Sequence, residues 1–271
     1  GDNQSLWEHL RMAIPQMCNL GLSGMVFIGT DVGGFGADVT PELLSRWVQV
    51  GCFSPLFRNH SSKGSTRQEP WLFGEETLNI NRKYIELRYK LLPYLYDLFH
   101  ETEQNGMPVI RPLVLHYEKD KETWNLNGEF LFGEHMLVAP VVEQGMTKKL
   151  LYLPEGTWYN LITGAEVSGG KWQKETHDYH SLPLMIRPNT VLALGNNDQK
   201  PDYDYADGVS LLVSAFDEGA EAKTEIPDLK GETVMTVTAR RVGDEIHLHV
   251  EGGNGNYTVK SLSGCKVVVE A

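Results

Sequence analysis

The hydrophobic pattern of this 271-residue chain changes near residue 107. Before that point, stretches with apolar residues every three or four positions, typical of helices, alternate with short continuous apolar runs, typical of buried strands. After it, short strand-like runs are separated by glycine and proline. The change predicts an α/β part over residues 1–106 followed by all-β structure, in a chain longer than one average domain of roughly 100–150 residues.

Two apolar runs in the α/β part end in polar residues. Met25–Ile28 runs into Gly-Thr-Asp31, and Cys52–Phe57 runs into Arg-Asn-His60. Between them, Thr40-Pro41 is a strong helix start, with a capping hydroxyl and a proline at the first helical position. This alternation predicts the last part of a (β/α)8 barrel, whose chemistry lies on the loops after the strands. A doubly wound α/β domain would give a similar pattern.

Local signals predict where the helices begin and end. Ser5-Leu6-Trp7-Glu8 has the spacing of a capping box, and Pro15 should kink or divide the helix that follows. A long helix is predicted over about 76–104, interrupted by Pro93 and stopped by Asn105-Gly106.

The sequence after residue 106 predicts two β domains. An antiparallel β domain is expected over 107–195, and a second all-β unit over 196–271 begins with a polar linker at 196–208. Gly252–Asn256 is predicted to be a hairpin turn before the strand that starts at Tyr257.

Composition excludes several classes of function. A net charge of −12 gives no general attraction for nucleic acid or anionic lipid, and no apolar run approaches the ~20 residues of a membrane span. The two close histidine pairs, at 177/180 and 247/249, lack a third ligand at metal-site spacing, so no metal is expected. Three scattered cysteines indicate neither a disulfide scaffold nor a zinc site and favour a reducing, cytoplasmic location: Cys18, Cys52 and Cys265.

Each candidate functional residue also has an ordinary structural interpretation. Asp31 suits hydrogen bonding to sugar hydroxyls, with Phe35 and the glycine loop of Gly33, Gly34 and Gly36 beside it, but it could be a turn residue. Arg58 could pair with Asp31 as plain structure, and His60 could be a satisfied core histidine. Asp2 could simply favour the N-terminus of the following helix.

Taken together, the motifs resemble the second half of the catalytic barrel of glycoside hydrolase family 31, in order and in spacing. The resemblance covers nearly the whole chain and is least specific over the last ~60 residues. The segments that carry it are Gly1-Asp2-Asn3 with Ser5 and Trp7, Gly21–Gly24, Thr30–Phe35, Arg58–His60, Leu91–Tyr96, Val138–Val141 and Leu153–Trp158.

The resemblance implies the C-terminal part of a TIM barrel followed by two antiparallel β-sandwich-like domains. It implies part of a retaining, exo-acting α-glucosidase in which Asp2 is the general acid/base. By the same resemblance, His60 and Phe35 bind the sugar, and Asp31 and Arg58 line or brace the pocket. Retaining hydrolysis needs two carboxyl groups and no cofactor.

The family's nucleophile lies on an earlier strand, in a motif that this sequence lacks. We therefore expect an oligosaccharide substrate and the N-terminal remainder of the enzyme as partners, and an isolated chain without activity. Homo-oligomerisation stays open.

Two alternatives remain. Leu194–Gln199 and Pro201–Tyr203 look closer to bacterial α-xylosidases of the same family. The β domains could instead form a non-catalytic carbohydrate-binding or structural module. Its exposed aromatic surface would consist of Trp158, Tyr159, Trp172 and Tyr179, although core packing of these residues is favoured.

Overall fold

A computed structural model describes residues 2–270 of the chain, so Gly1 of the Gly-Asp-Asn motif and Ala271 lie outside the described residues. The α-helices within residues 2–270 are α1 (Trp7–Leu22), α2 (Pro41–Gly51), α3 (Glu75–Lys90) and α4 (Leu92–Asn105).

The strands alternate with helices only in the first part of the chain. In order they are β1 (Asp31–Val32), β2 (Arg58–Asn59), β3 (Ile110–Arg111), β4 (Phe130–Phe132), β5 (Met136–Val138), β6 (Lys148–Leu153), β7 (Thr157–Asn160), β8 (Glu166–Ser168), β9 (Lys171–Thr176), β10 (Leu184–Ile186), β11 (Val191–Leu194), β12 (Val209–Val213), β13 (Glu221–Pro227), β14 (Thr233–Val242), β15 (Glu245–Gly252), β16 (Tyr257–Ser261) and β17 (Lys266–Glu270).

The described residues form two compact units. The first comprises the residues up to Ile85 with Pro108–Pro154 and Gly170–Leu184. The second comprises Glu86–Met107, Glu155–Gly169 and the residues from Met185 onward. The three domains expected from the sequence stay a prediction.

The start of α1 differs from the sequence-based prediction. The helix begins at Trp7, and no side chain caps it. The Ser5 hydroxyl instead donates to the carbonyl oxygens of Gly36 and Ala37, at 3.0 and 3.2 Å. The prediction of a capping box is therefore wrong, because the Ser5 hydroxyl bonds to a loop distant in sequence. Pro15 lies inside a continuous helix and does not divide it.

The other helix signals are confirmed. The Thr40 hydroxyl accepts from the backbone N–H of Leu43 at 3.3 Å, and Pro41 begins α2. The long predicted helix is divided at Leu91, just before Pro93, and α4 ends where Gly106 adopts a φ of 78°. Glycine reaches this left-handed conformation without the steric penalty of a Cβ atom.

The two apolar runs lie side by side without forming the predicted buried strands. The Leu56 N–H donates to the Ile28 carbonyl at 2.8 Å, but the regular pairing is only two residues long. Met25 and Phe27 are 57% and 62% exposed, so a strand buried on both faces is wrong for this run. The pairing is parallel, which puts the ends of both runs at one edge.

A buried clamp joins α2 to the loop after β9, within the first unit. The Arg46 guanidinium is fully buried and donates to the carbonyls of Asp178 and Ser181, at 2.8 and 2.9 Å. Gln49, one turn along α2, donates to the Tyr179 carbonyl at 2.7 Å. These two side chains therefore supply hydrogen-bond donors to three successive parts of the loop, the carbonyls of Asp178, Tyr179 and Ser181.

The rest of the first unit is antiparallel β structure. β3, β4 and β5 form a meander, and β6 pairs with β9 in a two-stranded ribbon. Each residue of β6 that faces one side of the ribbon is matched by a residue of β9 on the same side, as antiparallel pairing requires.

The second unit is not purely antiparallel, contrary to prediction. β12 pairs with β16, and β15 with β17, in parallel. Because β15 and β16 belong to different sheets, Gly252–Asn256 is a crossover and the predicted hairpin is wrong. The expected linker at 196–208 is irregular but packs locally, since the rings of Tyr203 and Tyr205 lie 4.8 Å apart.

Candidate active site

A buried aspartate and a half-exposed arginine form the base of the site. Asp31 is 1% exposed, and Arg58 reaches its Oδ1 with Nη2 at 2.7 Å and Nε at 2.9 Å. The two residues are register partners in the β1–β2 pair, so the parallel ladder itself brings them together. The ion pair allowed by the sequence is present.

Asn3 fixes the chain before α1 to β1. Its Oδ1 accepts from the Asp31 backbone N–H at 3.2 Å, and its Nδ2 donates to the Asp31 carbonyl at 3.1 Å. The N–H of Asp2 donates to Asp31 Oδ2 at 3.3 Å. The second oxygen of the buried carboxylate therefore holds the backbone of Asp2, whose own side chain is exposed.

Asp2 has an unusual backbone conformation. Its φ is 60°, in the left-handed region that aspartate tolerates better than most residues. Its hydrogen bond to Asp31 and the two side-chain bonds of Asn3 hold the chain in this shape.

The glycine loop packs tightly on this segment. Phe35 N–H donates to the Asn3 carbonyl at 2.7 Å, and Ser5 N–H donates to the Gly36 carbonyl at 2.8 Å. A Cβ atom at Gly34 would lie 2.5 Å from the Ser5 nitrogen. Only glycine allows this approach, so Gly34 lets Phe35 reach Asn3, the residue after Asp2.

Phe35 and His60 form a ring pair at the edge of the site. Their centroids lie 5.3 Å apart with the planes at 32°. The Ser62 N–H donates to the Phe35 carbonyl at 2.7 Å, which ties the loop after β2 to the glycine loop. The structure thus brings together all five predicted residues on adjoining segments. Such a rim offers an aromatic face and imidazole nitrogens beside carboxylates, a combination suited to a sugar ring.

Sequence reasoning missed Gln68, which braces the site from beneath. It is 3% exposed, and its Nε2 donates to the Gly34 carbonyl at 2.8 Å. Its own carbonyl accepts from the Asn59 side chain at 2.7 Å. No motif marked this residue, because a glutamine in a polar loop carries no local signal of burial.

The chemistry available at the site comes from carboxyl, guanidinium and imidazole groups. Among residues 2–270, no cluster of three His, Cys, Asp or Glu side chains has the geometry of a metal site. In the same range no helix has the length and apolarity needed to cross a bilayer.

Comparison with known families decides the assignment. Residues 1–98 match the glycosyl hydrolases family 31 TIM-barrel domain, and residues 106–192 match the glycosyl hydrolase family 31 C-terminal domain. The chain belongs to glycoside hydrolase family 31. Residues 204–270 match a further domain model, the alpha-xylosidase YicI C-terminal domain. The resemblance inferred from the motifs is thereby confirmed.

Curated family 31 relatives are about three times longer than this chain. Alpha-glucosidase 2 of Bacillus thermoamyloliquefaciens is 41% identical over 259 residues, which cover 96% of this chain and 32% of that protein. Lysosomal alpha-glucosidase of Rattus norvegicus is 44% identical, over 93% of this chain and 30% of its own length. The chain therefore spans about a third of these relatives.

Solved family 31 structures have the same fold. The dextranase FjDex31A of Flavobacterium johnsoniae, complexed with glucose, superposes with a TM-score of 0.82 at 32% identity, covering 89% of this chain and 31% of that one. An alpha-xylosidase from a soil metagenome, complexed with xylose, has a TM-score of 0.66 at 33% identity over 69% of this chain and 31% of its own. These likenesses support the predicted α/β plus all-β class.

Proposed function

We propose that these residues form the acid/base half of the active site of a retaining α-glucosidase, which removes terminal non-reducing α-linked glucose from oligosaccharides. One observation carries the proposal. Of the two aspartates at the site, Asp31 is buried and bound by Arg58, whereas Asp2 is exposed beside it. A bound carboxylate suits a structural or hydroxyl-binding role, and the exposed one suits proton transfer.

In the first step, Asp2 donates a proton to the glycosidic oxygen as the bond to the anomeric carbon breaks. A second carboxylate attacks that carbon and forms the covalent glycosyl-enzyme. In the second step, the Asp2 carboxylate takes a proton from water, which attacks the anomeric carbon and releases the sugar with retained configuration. The proton that Asp2 gives up in one step is thus recovered in the next.

The nucleophilic carboxylate comes from outside the present sequence. Retaining hydrolysis requires two carboxyl groups about 5–5.5 Å apart. Both carboxylate oxygens of Asp31 accept hydrogen bonds, Oδ1 from Arg58 and Oδ2 from the Asp2 N–H. Asp31 therefore does not act as the nucleophile. We propose that residues beyond this chain, which spans about a third of its curated relatives, supply the nucleophile.

The rim residues bind the sugar rather than react with it. Phe35 provides an apolar face for the C–H groups of the pyranose, and His60, packed against it, provides nitrogens for hydroxyl groups. Removing His60 should therefore raise KM more than it lowers kcat.

An α-xylosidase is the second candidate, supported by the domain matched at residues 204–270. Glucose differs from xylose by one CH₂OH group, which a fitted pocket distinguishes by roughly 1–3 kcal/mol. Turnover of aryl α-glucoside and aryl α-xyloside by the longer protein separates the two. Faster turnover of the xyloside would replace the first proposal.

The acid/base role is tested with Asp2→Asn in the longer protein. Hydrolysis of maltose, with its poor leaving group, should fall at least a thousandfold, whereas an aryl glucoside with an acidic leaving group should still form the glycosyl-enzyme. Asp244→Asn, at an exposed turn after β14, is the matched control and should be unchanged. Undiminished maltose hydrolysis by Asp2→Asn would refute the assignment.

A further inference from the structure

Two exposed tryptophans lie away from the catalytic residues, on the β part of the first unit. Trp172, on β9, is 45% exposed, and Trp124 is 52% exposed. Trp158 and Tyr159 are almost completely buried, so the core packing that the sequence favours is confirmed for these two residues. Of the four aromatic residues Trp158, Tyr159, Trp172 and Tyr179, only Trp172 is exposed, because it lies on the solvent-facing side of the β6–β9 ribbon.

Both indole rings are held in place by their N–H groups. Trp172 Nε1 donates to Glu122 Oε2 at 3.0 Å, and Trp124 Nε1 donates to the Glu118 carbonyl at 2.8 Å. The polar edge of each ring is thereby satisfied, and the area left to solvent is mainly apolar ring surface. Fixed rings lose little conformational entropy when a ligand covers them.

A buried tyrosine supports the patch. Tyr152 is the register partner of Trp172, and the two ring centroids lie 5.5 Å apart. The Tyr152 hydroxyl donates to Asp120 Oδ2 at 2.7 Å. The segment that carries Glu122 and Trp124 is thus tied to the ribbon twice, by Asp120 and by Glu122.

The chemistry of this patch matches a neutral sugar chain. Flat apolar rings fit the C–H faces of pyranose rings, and carboxylates that already accept one hydrogen bond have further lone pairs for hydroxyl donors. The Asp120 and Glu122 carboxylates complement hydroxyl groups, and the exposed Lys148 and Lys174 on the same face of the ribbon offset their charge, so the patch suits a neutral ligand. Tryptophan is also one of the residue types that contribute most of the binding energy at interfaces.

We propose that Trp124, Trp172 and Glu122 form a second, non-catalytic binding surface for an α-linked glucan chain. The surface lies on side chains that take no part in the acid/base site. The choice of an α-glucan over other neutral glycans rests on the proposed function. The surface would hold a polymeric substrate while its chain end is processed.

Binding is measured by calorimetry with maltoheptaose, using the longer protein with both Asp2→Asn, which removes hydrolysis, and His60→Ala, which weakens sugar binding at the catalytic site. Trp172→Ala and Trp124→Ala should each weaken binding at least tenfold, and Trp172→Phe, which keeps a ring, should weaken it less. Leu115→Ala, which removes another exposed apolar side chain, is the matched control and should bind as the parent does. Unfolding midpoints establish that each variant is folded.

Several outcomes would overturn the proposal. They are equal affinity of Trp172→Ala and its parent for maltoheptaose, no binding by the parent, and equal binding of an anionic polysaccharide such as heparin. A change in sedimentation of Trp172→Ala with maltoheptaose affinity unaltered would assign the patch to self-association instead. None of these results depends on turnover, so failure of this surface is distinguishable from failure of the hydrolase assignment.

Discussion

The backbone N–H of Asp2 donates to the side chain of Asp31 across 3.3 Å, which links the exposed aspartate of the site to the buried one. The position of Asp2 therefore depends on the placement of the Asp31 carboxylate. Arg58 fixes that placement through the other carboxylate oxygen. Arg58 thus affects the position of Asp2 indirectly, through Asp31.

Arg58→Ala should lower the free energy of unfolding by about 1–3 kcal/mol, because the buried Asp31 carboxylate loses its charged donors. Arg67→Ala is the matched control. Arg67 pairs with Glu69 at the surface, where ion pairs add little stability. Denaturant titration of both variants measures the difference, and equal unfolding free energies would contradict the structural role of the Asp31–Arg58 pair.

Gly33→Ala should destabilise the protein more than Gly64→Ala. Both glycines have a positive φ, 87° and 98°, so both substitutions carry a backbone penalty of about 1–2 kcal/mol. A Cβ atom at Gly33 would also lie 2.3 Å from Gln68 Oε1, whereas nothing lies within 4 Å of one at Gly64. Chemical unfolding should show at least about 1 kcal/mol of additional loss for Gly33→Ala. Equal losses would mean that Gln68 moves aside freely.

Arg46→Met should lower the unfolding free energy by about 2–4 kcal/mol, since it removes the hydrogen bonds from the buried guanidinium to the carbonyls of Asp178 and Ser181. Arg82→Met, at an exposed position of α3, should have little effect. Hydrogen exchange should show faster exchange around Asp178–Ser181 in Arg46→Met alone. Unchanged protection there would show that the clamp does not hold the loop.

The stability of the protein should fall as the pH rises from about 5 to 8. Burial raises the pKa of Glu129 to about 8, although the Tyr152 N–H and the nearby Lys149 ammonium oppose the shift. Because the folded-state pKa exceeds the unfolded value near 4.5, the native state binds the extra proton. Its stabilisation is complete below pH 4.5 and is lost as the pH rises through 8.

Glu129→Gln should remove this dependence, which is on the order of 3–4 kcal/mol between pH 5 and 8. Unfolding free energies at pH 5, 6.5 and 8 measure it, and Glu155→Gln, at an exposed position, should keep the wild-type slope. Burial lowers the pKa of Lys149, which acts in the opposite direction and mainly at more alkaline pH. A wild-type slope in Glu129→Gln would place the titrating group elsewhere.

The sequence predicts most reliably the features that depend on neighbouring residues. The start of α2 at Thr40-Pro41 and the stop at Gly106 follow from the backbone groups and φ values of single residues, and both are confirmed. The proposed capping role of Ser5 and the hairpin at Gly252–Asn256 are wrong because partners distant in the chain decide them.

At the candidate site, too, some contacts could be predicted from the sequence and others depend on distant segments. Asp31 and Arg58 could be placed together because each follows an apolar run and successive parallel strands end at one edge. The tie between Asn3 and Asp31, and the burial of Gln68 under the glycine loop, depend on close approach of backbones. That approach is permitted by Gly34, and a list of residues does not show which segment will approach it.

The clamp on α2 has a consequence for how the chain acquires its structure. Arg46 and Gln49 lie 130 to 135 residues before the carbonyls that they bind. Contacts of such sequence separation carry a large loop-closure entropy and form late. During synthesis Arg46 therefore has only its partner within α2, Gln49, until the loop after β9 has left the ribosome, and the contacts of the helical segment are completed only with that later β segment.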